Sequence, residues 1–516
     1  MTRANSRVKW ILAAIPLGLF GASLIFRHAR GPFYLRNNFD PEYIYLLSSL
    51  SVLNLHAPAH TDHPGTTLQV LGAVILWLQW LVHHRQPLNE SVLAHPEEYL
   101  RGINLVLNAL ISGTLYWAAW VVCRLSNSLA AGLLLQATLL IYLQTFLAVT
   151  GVSPEPLLIA ACLALMIPLA PAVLRPESAE ANANGPAIAA GVIVGFGVIT
   201  KITFIPLAAV ILVFPQKSQK WRFAVAAVVS AVVFLLPVAT RLPAMSSWFA
   251  GLLTHEGHYG TGRVGIPGAH ELIANFLLLW RDEPVFFCLL VLYAALLLFA
   301  REKARTLLLT ACIAIGAETA MVVKHPSTHY LLPAIVLTAF VNATLFVRRA
   351  ETQRWGVVVL LALVGIGIAR NVGAIRVWTD SLRADRQSLA GLFATEDRLT
   401  GCQIIGSYRS SLQLYALSFA SDYSAAVHRE TLEKLYPRAL HYDPFSRRFL
   451  NFAYGEKTED VKRQLSGGQC VLVEGTPLDP SSLKRFLDNG IRFEPLMTSR
   501  NPISGLDDTT LYRLSQ

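Results

Sequence analysis

Six short clusters hold side chains that could do chemistry: Asp40-Pro41-Glu42-Tyr43, Asp62-His63-Pro64, Pro154-Glu155-Pro156, Thr200-Lys201, His255-Glu256-Gly257-His258 and Lys324-His325-Pro326. A carboxylate such as Asp40 can act as a general base, drawing a proton from an acceptor hydroxyl as it attacks. A lysine such as Lys201 can hold a phosphate group. Each cluster also has a plainer reading. Asp40, Pro41 and Glu42 fit a helix N-cap, a proline at the first helical position and an acid in the first turn. His63 opens a Pro-Gly turn beside Asp62. Glu155 lies between two prolines at the end of an apolar run, a costly place for an acid unless it is paired, capping or in water. Lys201 closes the glycine-rich stretch 191–197, where a lysine can simply snorkel.

The loop 255–263 sets His255, Glu256, His258 and Arg263 among three glycines. Its His-Glu-x-His spacing differs from the His-Glu-x-x-His that puts two histidines on one helical face, so it reads as a substrate contact and not as zinc. Lys324, His325, His329 and Tyr330 join two apolar runs, where a belt of aromatic and cationic side chains at headgroup level is the plainer account. Glu318 lies six residues before Lys324, about 9 Å deeper at helical rise, and needs a partner there.

These clusters sit in a chain of 516 residues that is 53% hydrophobic, 15% charged and of mean hydropathy +0.46, the composition of an integral membrane protein. Its net charge of +10 comes from basic residues spread over short loops with no continuous stripe, which argues against nucleic acid and for topology signals. Apolar runs at 9–26, 102–122, 128–148, 157–172, 187–200, 203–215, 222–240, 284–300, 306–323, 330–347 and 356–373 predict about eleven spans. The pair 187–200 and 203–215 could be one kinked span, but two spans keep the charge alternation. With Arg3, Arg7 and Lys9 cytoplasmic, alternate loops carry Arg124; Arg175; Lys217, Lys220 and Arg222; Arg301, Lys303 and Arg305; and Arg348, Arg349 and Arg354. All six clusters then face away from the cytoplasm. The first run has a basic start like a signal peptide but no small-residue cleavage site after it.

The expected organisation is a transmembrane domain over 1–379 and an extracytoplasmic α/β domain over 380–516. Residues 28–100 form a first outer loop in which 41–53 and 66–82 read as interfacial helices; a true span at 66–82 would move the later basic loops outside. In the last domain, strands are expected at 403–408, 471–474 and 510–514, with helices near 409–419, 457–465 and 481–489. Cys402 and Cys470 each open a strand-like run. If those strands are neighbouring, parallel and level, the two cysteines come within bridging range as a disulfide; otherwise they are buried thiols. Cys123, Cys162, Cys288 and Cys312 lie in or beside spans and read as packing residues.

In order and sidedness, these features resemble the polytopic glycosyltransferases of the GT-C superfamily. The match is to the family 39 type, the branch of protein O-mannosyltransferases and the lipid A aminoarabinose transferase. An acidic motif after the first span is matched by Asp40 to Tyr43, and a residue before proline by His63-Pro64. A second acid opening the fourth span is matched by Glu155, a Thr-Lys pair closing a glycine-rich helix by Thr200-Lys201, and a late His-Tyr-Leu-Leu-Pro segment by His325 to Pro333. The resemblance covers about 9–373. Adjacent Asp-Glu is usual in the family, and Pro41 intervenes here, so which of Asp40 and Glu42 is the base stays open. The resemblance implies Asp40, Glu42 and Glu155 as catalytic residues. It implies His63, Lys201, Lys324, His325, His329 and Tyr330 as substrate contacts, to which the loop reading above adds His255, Glu256, His258 and Arg263.

The implied partners are a polyprenyl-phosphate sugar, an extracytoplasmic acceptor and the bilayer of the inner membrane, with inversion at the anomeric carbon and no resident metal, a divalent ion being left open. A transporter or flippase of lipid-linked sugars is the competing class; it would place its binding groups near the midplane on broken helices related by repeats, and no repeat is visible. A non-catalytic assembly subunit is the third reading.

The charge bias makes a direct prediction about sidedness. A reporter active only outside the cytoplasm gives signal when fused after Gln516 and none when fused after Arg349. The opposite pattern would put every cluster on the cytoplasmic face.

Overall fold

The computed structural model describes residues 3–36, 39–62, 64–83, 86–175, 184–257, 260–348, 354–424, 426–444, 446–478, 483, 490–500 and 508–516. Among these, seven helices are long and apolar enough to cross a membrane: Ser6–Arg30, Pro96–Ser126, Pro154–Leu174, Lys217–Thr254, Ala304–Val323, Thr328–Val347 and Arg354–Arg398. Five shorter apolar helices accompany them: Thr66–Val82, Leu129–Leu139, Asn184–Thr200, Ile202–Val213 and Pro284–Leu297. Each expected span falls on one of these twelve segments. The segment left over is Thr66–Val82, the one expected at the interface.

The chain divides into two compact units. The first comprises Met1–Arg27, Thr61–Leu68 and Asn104–Ile375. Its most enclosed helix is Thr328–Val347, with 83% of its apolar window buried. Several polar side chains inside this unit find partners within it, as a low-dielectric interior favours. Tyr293 Oη donates to Asn342 Oδ1 at 2.6 Å, and Gln136 donates to the carbonyl of Leu12 at 2.8 Å.

Two departures from the sequence expectation lie here. The run 128–148 is not one helix but two, Leu129–Leu139 and Leu143–Ala148. At the break, the freed Leu139 carbonyl accepts from Thr145 Oγ1 at 3.0 Å and that of Leu140 from Asn371 Nδ2 at 2.6 Å. The run 203–215 is a 3-10 helix, Ile202–Val213, separated from Asn184–Thr200 by the extended backbone of Lys201 at φ −160°, ψ 137°. Pro206 inside it lacks the N–H that an α-helical bond would use.

The helices Asn184–Thr200 and Lys217–Leu235 touch backbone to backbone. A Cβ on Gly191 would stand 2.2 Å from the Phe223 carbonyl oxygen, and one on Gly195 2.2 Å from that of Ala227. This is the small-xxx-small contact of helices in lipid.

The second unit comprises His28–His60, Gln69–Ile103 and Arg376–Gln516. It holds a six-stranded sheet in the order β3-β2-β1-β4-β6-β5, with β1 (Gln403–Gly406), β2 (His441–Asp443), β3 (Arg448–Leu450), β4 (Val471–Gly475), β5 (Arg492–Ser499) and β6 (Thr509–Ser515). β1 runs parallel to β2 and β4, and the other pairings are antiparallel. All five residues of β4 are buried. Ile405, Val471, Val473, Phe493 and Tyr512 form one core cluster, while Leu472 and Leu511 pack with Leu389 and Leu392 in another.

β1 and β4 are in register with Gln403 opposite Val471. The residues just before them, Cys402 and Cys470, form a disulfide with Cα atoms 4.5 Å apart. The strands β2, β3 and β5 were not expected. The first two are three residues long, and β5 carries Pro495 at a bulge on the sheet edge, where the missing N–H is tolerated. Helices form at Gln413–Asp422 and Thr458–Ser466. The expected helix at 481–489 lies, except for Leu483, outside the described residues.

Arg36, 3% exposed, binds several parts of this unit. Its Nε meets Asp385 Oδ1 at 2.8 Å, while Nη1 donates to Thr509 Oγ1 at 3.1 Å and Nη2 to Ser499 Oγ at 2.7 Å.

Four titratable groups give the unit a pH profile. Burial, reinforced by the neighbouring Glu396 carboxylate, pushes Glu474 from the usual 4.5 up to about 8, although Ser411 N donates to its Oε1 at 2.6 Å. Burial pushes His428 and His441 from 6.5 down to about 4. Folded Glu474 keeps a proton that the unfolded chain releases, so its contribution is lost as pH rises from 4.5 through about 8. The folded histidines refuse a proton that the unfolded chain takes, so their contribution is lost as pH falls from 6.5 through about 4. Burial also raises Glu396 from 4.5 to about 7, so its contribution is lost with rising pH as well. Between 4.5 and 6.5 two carboxyls offset two histidines, so stability is level there and declines as pH rises above 6.5. Protection factors of β1 and β4 amides should be level over that window and fall above it. In Glu474→Gln the decline on the alkaline side should flatten.

Candidate active site

The break at Lys201 organises the first unit's polar cluster. Thr200 ends its helix with Oγ1 donating to the Phe196 carbonyl at 2.9 Å and lying 2.6 Å from Thr67 Oγ1. The next residue turns extended, and its backbone pairs with Pro64 in an isolated antiparallel bridge. That bridge brings the segment of Asp62, which is half-buried, alongside Lys201. His63 itself lies outside the described residues.

Extended backbone turns the Lys201 side chain inward, where it is 3% exposed and its ammonium forms an ion pair with Glu155. Glu155, 8% exposed, stands in the first turn of Pro154–Leu174. Pro154 there loses no needed N–H, and the helix dipole favours an acid. Lys201 therefore does not snorkel: it is held by a buried carboxylate.

Tyr330 closes over the ammonium, its ring centroid 4.4 Å from Nζ, a cation–π contact. Tyr330 and His329 belong to the 3-10 turn Thr328–Leu331, their rings 4.1 Å apart. Ser327 Oγ lies 2.7 Å from His329 Nδ1, and Gln144 Nε2 donates to Thr328 Oγ1.

The helix that follows, Leu332–Val347, has no side-chain cap of its own. Glu318, 0% exposed and on Glu302–Val323, supplies one from outside, its Oε1 accepting from Ala334 N at 3.2 Å. Cys162 Sγ donates to the Pro333 carbonyl at 3.4 Å beside it. The deep acid thus pins the helix start directly after the turn that carries His329 and Tyr330.

Other expected residues lie elsewhere. Lys324 is half-buried and donates to the Leu252 carbonyl, which ties it to the helix Leu242–Thr254. His325 beside it is half-buried. His255 and Val264 bridge an antiparallel hairpin in which Glu256 N donates to the Arg263 carbonyl at 2.9 Å. Glu256 and Arg263 are exposed there, and His255 Nδ1 lies 3.0 Å from Thr254 Oγ1. His258 lies outside the described residues. No group of three His, Cys, Asp or Glu able to hold a metal occurs among the described residues.

The acids of the first cluster belong to the second unit and differ in setting. Asp40 is exposed and extended at φ −103°, ψ 116°, the geometry favoured before proline. Glu42 is 2% exposed, with Arg30 Nη1 3.8 Å away. Tyr43 Oη donates to Glu97 Oε1 at 2.9 Å, and the same carboxylate accepts from Phe33 N. Of the two acids, Asp40 is thus exposed and Glu42 buried.

Sequence reasoning missed the parts played by Thr67, Gln144, Arg30 and Glu97. Thr67 adjoins a Pro-Gly turn already singled out; for a neutral residue such as Gln144 inside an apolar run there is no such signal.

A scan against protein-family models finds no match, and a search of curated proteins finds none either. Among solved structures, the crystal structure of ArnT from Cupriavidus metallidurans bound to undecaprenyl phosphate aligns over 98% of this chain and 97% of that one. Identity is 12% and the TM-score 0.50. The apo crystal structure of that protein aligns over 92% of each chain at 12% identity and a TM-score of 0.46. The first likeness shows that the chain shares the overall fold of that protein.

Removing one partner of a buried ion pair strands the other charge, at a cost of about 3–5 kcal/mol. Glu155→Ala and Lys201→Ala are each expected to lose about that much, and the double variant less than their sum. Thermal unfolding of the four proteins in one detergent measures the cycle. Additive losses would mean that the pair contributes no coupling.

Proposed function

We propose that this chain is an integral membrane glycosyltransferase that moves a sugar from a polyprenyl-phosphate donor to a hydroxyl on an acceptor outside the cytoplasm, with inversion. The observation that carries this reading is the lysine held between Glu155 and the Tyr330 ring at the meeting of apolar helix ends. A lipid-phosphate donor needs that setting: its chain stays in hydrocarbon while its phosphate meets a cation. The ArnT of Cupriavidus metallidurans, bound to undecaprenyl phosphate in its crystal structure, has the same fold and supports this donor class.

In the proposed reaction the acceptor oxygen bonds to the anomeric carbon as the bond from that carbon to the phosphate oxygen breaks. The acceptor's proton passes to a carboxylate, for which Asp40 is the better placed of the two acids because it is exposed while Glu42 is buried. Polyprenyl phosphate leaves with the bonding pair, its charge met by Lys201. Glu155 holds Lys201 until the phosphate arrives, and His329 and Tyr330 line the same cluster. Lys324, His325, His63, His255, Glu256, His258 and Arg263 are assigned to substrate contact, on the sequence pattern.

Asp40→Asn should abolish transfer while leaving expression and melting temperature near normal, because asparagine caps a helix about as well but accepts no proton. Lys201→Ala should weaken binding of undecaprenyl phosphate, and Lys201→Arg should restore part of it. Turnover by Asp40→Asn close to wild type would reduce Asp40 to a cap. Unchanged lipid-phosphate affinity in Lys201→Ala would remove Lys201 from the donor site. If reconstituted protein carries lipid-linked sugar across the bilayer without transferring it, the chain is a flippase.

A further inference from the structure

The first unit carries an apolar groove of about 510 Å³ between the helices Asn184–Thr200 and Lys217–Leu235. Ile188 and Val192 form one wall and Val225, Val229 and Val233 the other, and all five are exposed. The walls cannot shift to close it. The Gly191 and Gly195 contacts leave no room for closer approach, and Ser230 Oγ donates to the Val192 carbonyl at 2.8 Å across the join. That bond also consumes the groove's hydroxyl, so its length offers a ligand only hydrocarbon.

One end differs. Trp221, 71% exposed, and Arg222 close the groove there, and Lys217 and Lys220 lie in the same first two turns of the helix. Among the described residues no acidic side chain pairs with any of these three cations. From Trp221 to Phe234 the helix rises about 20 Å. A leaflet with its headgroup region is about 20–22 Å deep. The groove thus has the length of one leaflet, an indole suited to the interface and, among the described residues, cations with no acidic partner at its mouth.

We infer that this groove is a binding site for an anionic phospholipid, its headgroup phosphate on Arg222 and an acyl chain along Val225, Val229 and Val233. A zwitterionic lipid presents the same chains but carries a second charge that the cations repel. The site is independent of the transfer reaction, since none of its residues belongs to the Lys201 cluster.

Native mass spectrometry of the full-length protein, released from micelles holding equal phosphatidylglycerol and phosphatidylcholine, tests it. Phosphatidylglycerol should be retained preferentially. Arg222→Gln should lower that preference about fivefold, the effect of one cation near a charged headgroup. Val229→Trp fills the groove without touching charge and should remove the most tightly held lipid. Each variant is compared at unchanged melting temperature; if Val229→Trp proves unstable, Val225→Phe takes its place. Equal retention of the two lipids by the wild type, or a preference untouched by Arg222→Gln, overturns the assignment of the headgroup. A full complement of bound lipid in the filled variant overturns the assignment of the groove.

Discussion

A lysine and a glutamate buried against each other among apolar helices constrain the first unit more than any other contact. Neither Lys201 nor Glu155 could stay charged there alone, because desolvation of an unpaired ion costs several kcal/mol. The pair requires Lys201 to leave helical geometry, and with it the helix-to-3-10 transition at residues 200–202 is fixed. The bridge to Pro64, the hydroxyl contact of Thr67 with Thr200 and the ring of Tyr330 all assemble around that one extended residue.

Glu318 is a second acid held at depth: 0% exposed, it lends one oxygen as the cap that the helix Leu332–Val347 lacks. A cap delivered from a second helix couples two spans at a defined height. The turn of His329 and Tyr330 comes directly before the capped helix and inherits that height. The glycine contacts hold Asn184–Thr200 close against Lys217–Leu235 and leave beside them an exposed apolar groove.

The sheet of the second unit is built by the rules of soluble proteins. Its central strand is buried along its whole length, and its cross-links are a disulfide and the many-sided hydrogen bonding of Arg36. A guanidinium can serve four or five acceptors at once in a planar fork, which lysine could not do in the same place. Raised Glu474 and lowered His428 and His441 are the consequence of closing this core over titratable groups.

Hydropathy and composition determined that the chain is a helical membrane protein with a mixed α/β region near its end, because burial in hydrocarbon and alternation in a sheet leave periodic marks that need no partner to be read. The chemical identity of the clusters was equally legible: Glu155 was costly where it stood, Lys201 closed a glycine-rich helix, and Asp40 preceded a proline. What only the tertiary structure decided was which of these groups meet. Glu155 and Lys201 are 46 residues apart and Lys201 and Tyr330 are farther, and no local pattern encodes a contact between distant segments. The split of 128–148 escaped for the same reason: at the break the Leu140 carbonyl is satisfied by the side chain of Asn371, remote in sequence, and such a bond exists only once the chain has folded. The strands β2 and β3 escaped because, at three residues each, they are too short to leave a periodic mark.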